Sequence, residues 1–170
     1  MSKFAIGLFV LTAAVRAACV SDPGGTIGEC PAFRASLSVE DRMSQAANVF
    51  NPNEPIGFDL SITNTLNEPA TLTAGSSCTA VVFEVTDSGK RRRWGNADQI
   101  ACIQMLQPRT YGGLETVSEA ATWNQRDADG ALVSPGSYVV TAAVGQYVSN
   151  AGALLDCRAG LSKSSTFTIR

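Results

Sequence analysis

From Phe33 onward, apolar and polar side chains alternate in short runs, the period expected of β-strands with one face turned inward. The clearest run places Ile56, Phe58, Leu60 and Ile62 on one face, with Gly57, Asp59, Ser61 and Thr63 between them. Phe33, Ala35, Leu37 and Val39 alternate in the same way with Arg34, Ser36 and Ser38, which predicts a first strand just after Cys30. Residues 40–48 show no such alternation and read as a loop, and Asn51-Pro52 then ends any helical tendency. The turn 64–69 (NTLNEP) leads to a short return strand, Ala70 to Thr73. A longer strand runs from Cys78 to Thr86, with Val81, Phe83 and Val85 on one face and Ala80, Val82 and Glu84 on the other.

Asp87-Ser88-Gly89 predicts a hairpin turn. Gln99 to Leu106, with Ile100 and Cys102, predicts a further short strand, and Leu114, Thr116, Ser118 and Ala120 alternate with Glu115, Val117 and Glu119 toward Trp123. Residues 149–160 read as a loop carrying Cys157, and 164–169 as the closing strand.

The stretch from Ala121 to Val144 organises the rest. Thr122-Trp123-Asn124 ends one strand, Asp127-Ala128-Asp129-Gly130 and Ser134-Pro135-Gly136 make two turns, and Tyr138, Val140, Ala142 and Val144 form one face of a second strand. Some seven to nine short strands, at roughly 8 to 15 residue spacing with Gly and Pro punctuation, predict an all-β fold: an immunoglobulin-like antiparallel β-sandwich. A chain of 170 residues is enough for one such domain. Neither a repeat nor a low-complexity block divides it.

Charge narrows the partners. A net charge of −2 and a pI near 5.1 give no reason to expect nucleic acid as a ligand. The chain has no histidine, which removes the commonest general base and zinc ligand together. With no CxxC spacing either, no metal or other cofactor is expected.

The first residues predict a processing segment. Lys3 precedes an apolar run of about 12 residues from Phe4 to Val15, too short for the ~20 that span a bilayer and suited to a secretory signal. The expected organisation is a signal peptide over 1–18, a Gly-rich tether over 19–30 and a folded domain over 31–170, in an extracytoplasmic location. Cleavage can follow Val15-Arg16-Ala17. Ala17-Ala18-Cys19 also resembles the end of a lipobox, although Arg16 stands where an aliphatic residue belongs, so Cys19 is a candidate for lipidation and a membrane anchor only in that case. Setting Cys19 aside leaves an even number of the five cysteines. Cys30 precedes the first strand and Cys157 the last, and in immunoglobulin-like sandwiches these two strands run side by side. The preferred pairing is therefore Cys30 with Cys157 and Cys78 with Cys102, one of three possible connectivities.

Residues 53–56 (NEPI), 60–64 (LSITN), 67–69 (NEP), 83–89 (FEVTDSG), Trp94, 121–124 (ATWN), Asp127, Gly130 and 135–138 (PGSY) together resemble the BsuPI-like family, founded on a bacterial intracellular proteinase inhibitor. The likeness covers about residues 49 to 144. It implies a β-sandwich and, by the family's name, proteinase inhibition. The export signal and the cysteines depart from an intracellular founder.

Of the candidate sites, Lys90-Arg91-Arg92-Arg93 is the sharpest. Four consecutive cations alternating across a strand read either as an exposed loop offered to a trypsin-like protease or an anionic envelope polymer, or as a solvated edge that deters aggregation, with Trp94 in the core. Asp127 to Gly130 begins like a calcium loop, but an EF-hand needs glutamate where Tyr138 stands, which favours turn chemistry. Trp123 and Tyr138 read as core or corner rings rather than a stacking platform. Glu115 and Glu119, on one face of a strand about 13 Å apart (four residues at about 3.3 Å), are too widely spaced for a glycosidase pair. The expectation is a non-catalytic, monomeric, protein-binding module, with a protease as the partner. The alternative is a structural or adhesion-type module of the cell envelope.

Overall fold

The computed structural model describes residues 30, 32–74, 81–99, 107–144, 146–150 and 153–170. Two sheets face each other. The first has the order β1-β3-β8, from β1 (Phe33–Glu40), β3 (Ile56–Asn64) and β8 (Thr116–Trp123). The second has the order β2-β12-β9-β5-β6, from β2 (Val49–Phe50), β12 (Lys163–Ile169), β9 (Gly136–Val144), β5 (Val81–Asp87) and β6 (Arg92–Gly95). Inward positions follow the predicted alternation: Ile56, Phe58, Leu60 and Ile62 from one sheet meet Val81, Phe83, Val85, Tyr138, Val140, Phe167 and Ile169 from the other, all buried. Phe58 touches rings of the opposite sheet at centroid distances of 6.2 Å (Phe83) and 5.9 Å (Phe167). The expected sandwich is the observed one.

Twelve strands are present among the described residues, where seven to nine were expected. Most of the surplus lies at one end. There β4 (Ala70–Ala74), β7 (Gln107–Tyr111), β10 (Gln146–Asn150) and β11 (Ala153–Asp156) form a third sheet, in the order β11-β10-β4-β7. These strands belong to the connections between β3 and β5, β6 and β8, and β9 and β12, where the predicted return strand from Ala70 is joined by three others into a small sheet whose Leu72 and Tyr111 plug the core. In the predicted loop at 149–160, residues 149–150 and 153–156 are strand, and a single helical turn, α1 (Arg158–Leu161), then buries Leu161. The strand expected from Gln99 is corrected at its start, since Asn96–Gln99 is a 3₁₀ turn; the remainder lies outside the described residues.

The strand running alongside the last one in the same direction is not the first strand. β1 pairs antiparallel with β3, and the parallel partner of β12 is the two-residue β2, through Thr168↔Val49 and Ile169↔Phe50. The chain therefore leaves one sheet after β1, crosses at 41–48 and joins the other, so the sandwich is antiparallel except at this pair. Cys30 nevertheless meets Cys157 in a disulfide, because β1 and β12 both begin at the end capped by the third sheet. Cys19, Cys78 and Cys102 lie outside the described residues.

Two buried amides stitch the ends. Asn64 is wholly buried; its Nδ2 donates to the carbonyls of Glu68 (2.8 Å) and Gly112 (2.9 Å), and its Oδ1 accepts from the Leu66 amide (3.0 Å). At the opposite end Gln125, 1% exposed, donates to the carbonyls of Asn51 and Glu54 and accepts from the Asn53 amide, each at 2.8 Å. Each satisfies backbone groups of a loop that has no sheet partner.

Candidate functional site

β5 and β6 form a hairpin whose tip is Ser88-Gly89-Lys90-Arg91. The tip is closed by the Lys90 amide donating to the Asp87 carbonyl (2.9 Å) and the Asp87 amide to the Arg91 carbonyl (3.0 Å). Lys90 sits at φ 60°, in the left-handed region that favours glycine. A bulge between Val85 and Thr86 shifts the register of the hairpin. Arg91 and Arg93 converge on one carboxylate: Asp87 Oδ2 lies 3.0 Å from Arg91 Nε and 2.8 Å from Arg93 Nη2, while Oδ1 accepts the Arg91 amide at 3.0 Å. Arg92 instead pairs with Glu84 across the strands, at 2.8 Å. Lys90 is exposed and has no ion partner among the described residues, and Arg91 stays 74% exposed despite its pairing. Trp94 turns inward against Phe58 and Trp123.

Such surface pairs add little to stability. Their effect is geometric: one carboxylate fixes the backbone and two guanidinium groups of the tip. The bond from the Arg91 amide and the cations beside it outweigh desolvation and lower the Asp87 pKa to about 2. The folded value lies below the ordinary 3.8, so the brace is fully present above that pH and is lost as pH falls through 2. A carboxyl-detected NMR titration is expected to give Asp87 a midpoint near 2, with hairpin amide shifts moving in step; an ordinary midpoint would dissolve the brace. Lys90→Gly relieves the left-handed backbone and is expected to raise unfolding free energy by about 0.5–1 kcal/mol in urea denaturation.

The other candidates resolve into structure. Asp127 Oδ1 accepts the amides of Asp129 (3.1 Å) and Ala131 (3.0 Å), and Gly130 takes φ +79° to close the turn. The Asp127 carboxylate is thus occupied by its own backbone. No group of three or more candidate metal ligands gathers among the described residues. Trp123 and Tyr138 are buried against each other at 5.7 Å, the indole donating to the Arg126 carbonyl (2.7 Å) and the phenol to the Ser134 carbonyl (2.5 Å). That last bond is the tyrosine corner of immunoglobulin-like domains. Glu115 lies in the turn before β8 and accepts the Gly112 amide, and Glu119 pairs with Arg109 at 2.6 Å. Each carboxylate already has a structural partner. Sequence reasoning missed Asn64 and Gln125. An amide at the inward parity of β3 was the available signal for the first, and the second had none.

The fold is thus an immunoglobulin-like sandwich with a braced basic hairpin at one end. Over residues 43–147 the chain matches the family model BsuPI, described as intracellular proteinase inhibitor, and it belongs to that family. No curated protein matches the chain significantly. Among solved structures, it is similar to the CARDB domain of a Pyrococcus furiosus protein in complex with di-metal ions (13% identity, TM-score 0.40, 81% of this chain and 90% of that one). It is also similar to part of an alkylpurine DNA glycosylase from Pseudomonas fluorescens (17% identity, TM-score 0.44, 82% of this chain but 30% of that one). Part of a β-glucosidase from Listeria innocua is similar too (9% identity, TM-score 0.42, 81% and 16%). The chain thus spans less than a third of either of these enzymes.

Proposed function

We propose that this protein is an exported, non-catalytic binding module that inhibits a proteinase, offering Lys90 and Arg91 at the tip of the β5–β6 hairpin to an acidic substrate pocket. The observation that carries this reading is the Asp87 brace, which holds an exposed basic tip in one conformation and so lowers the ordering cost of binding. The family's description supports a proteinase as the partner. Export is supported by the apolar run after Lys3.

Titration of the purified protein against a panel of serine and metalloproteases tests the proposal. A trypsin-like enzyme is expected to be inhibited without rapid cleavage of the hairpin, and Lys90→Ala with Arg91→Ala to weaken inhibition at least tenfold with the fold intact. Failure to inhibit any member, combined with retention in cell-envelope fractions, would overturn it in favour of an envelope module. Mass spectrometry of the mature N-terminus reads the export step, with a mass lacking residues 1–18 and carrying acyl chains on Cys19 marking a lipid anchor.

A further inference from the structure

Along one side of the sandwich most of β12 has no hydrogen-bonded strand partner, and β1 of the other sheet lies close by. β12 is seven residues long, but β2 lies beside only its last two. The amides of Thr168 and Arg170 donate to the carbonyls of Asn48 and Phe50, so even-numbered positions of β12 turn their backbone groups away from β9. Ser164 and Thr166 therefore point an amide and a carbonyl outward, and neither has a hydrogen bond to another backbone there among the described residues. The neighbouring edge of β1 is open in the same way. The Thr65 amide bonds the Ala32 carbonyl, which sets even positions toward β3; the outward-facing Phe33 and Val39 are taken by Cys30 and Ala47, leaving Ala35 and Leu37. Exposed edges of this kind are ordinarily blunted by charge, proline or a covering segment.

Two clefts follow that line. One, of about 590 Å³, is lined by Cys30, Phe33, Arg34, Ala35, Gly160 and Lys163 among others. The next, of about 460 Å³, lies between Leu37, Val39, Ala47, Asn48 and Ser165. Together they trace the path an upstream extension of β2 would take. Arg34 has no carboxylate partner among the described residues, and the Lys163 ammonium is held at the rim by the Gly160 carbonyl at 3.0 Å. The track thus has walls of mixed polar and apolar character, open backbone groups and two cations at one mouth.

We infer that this track binds an extended, acidic peptide segment of a partner protein, which completes the sheet beside β12 through Ser164 and Thr166 and sets a carboxylate against Arg34 and Lys163. Backbone pairing supplies affinity, and the cations select charge and direction. The surface is separate from the hairpin, so either proposal can fail alone.

The probe is a fluorescein-labelled Glu-Val-Thr-Val-Glu peptide, with Lys-Val-Thr-Val-Lys as its counterpart, read by anisotropy and amide exchange on the full chain. Saturable binding of the acidic peptide is expected, with slowed exchange at Ser164 and Thr166 and at least a tenfold loss in the Arg34→Glu, Lys163→Glu double variant. Thr166→Pro removes an outward amide without touching the bonds to β9 and is expected to abolish binding while the thermal midpoint holds. Equal binding of the lysine peptide, unchanged binding by the charge-reversed variant, or Ser164 and Thr166 amides already protected in the free protein would overturn the inference. The last result would place another segment of this chain, or a second copy, in the track.

Discussion

Replacing Cys30 and Cys157 together by alanine is expected to lower the unfolding free energy by about 5 kcal/mol, the chain-entropy value for a loop of this size. The bridge joins residues 127 apart and so closes nearly the whole described chain into one loop. Both cysteines are buried, Cys157 at the foot of α1 and Cys30 one turn before β1, so alanine fits without a new polar burden. A loss of that size takes up a large share of the ~5–15 kcal/mol typical of a domain. Guanidinium denaturation of the oxidised protein and the double variant, compared at matched m-values, measures it. A difference below about 1 kcal/mol would mean that the bridge adds no constraint to the unfolded chain.

Trp123→Ala is expected to cost about 3–5 kcal/mol. The indole is 1% exposed and packs against Trp94, Tyr138 and Phe167 at 6.5, 5.7 and 6.2 Å, so its loss opens a cavity that three large rings cannot collapse to fill. Trp123→Phe separates packing from the polar term. It keeps most of the ring contact but orphans the Arg126 carbonyl, and is expected to cost about 1–3 kcal/mol in the same denaturation series. If the two variants were equal, the bond to Arg126 rather than the ring would hold the corner.

What could be read from the residues follows from periodicity. A strand with one dry face writes itself as alternation, so β1, β3, β5, β9 and β12 were legible together with the corner at 124–136 that joins β8 to β9. Of the third sheet only β4 was, as the short return strand from Ala70. The stretch QPRTY of β7 is exposed at every position but Tyr111, and β2 is two residues long, so neither carries a period to detect. Pairing partners across the sequence, rather than local pattern, create both. The hairpin was legible as a turn with four cations whose alternation sets Arg91 and Arg93 together, but their shared partner was not, because only the turn brings the Asp87 carboxylate beside them. The Cys30–Cys157 bridge was anticipated for partly the wrong reason: the two strands begin at the same end, yet the parallel neighbour of β12 is β2.

The polypeptide enters the sandwich at Cys30, while the basic tip hangs from the far end of β5. The nine residues of β3 run between those two ends, about 30 Å at about 3.3 Å each. A partner reaching Lys90 therefore approaches the pole of the sandwich opposite the one where the chain comes in.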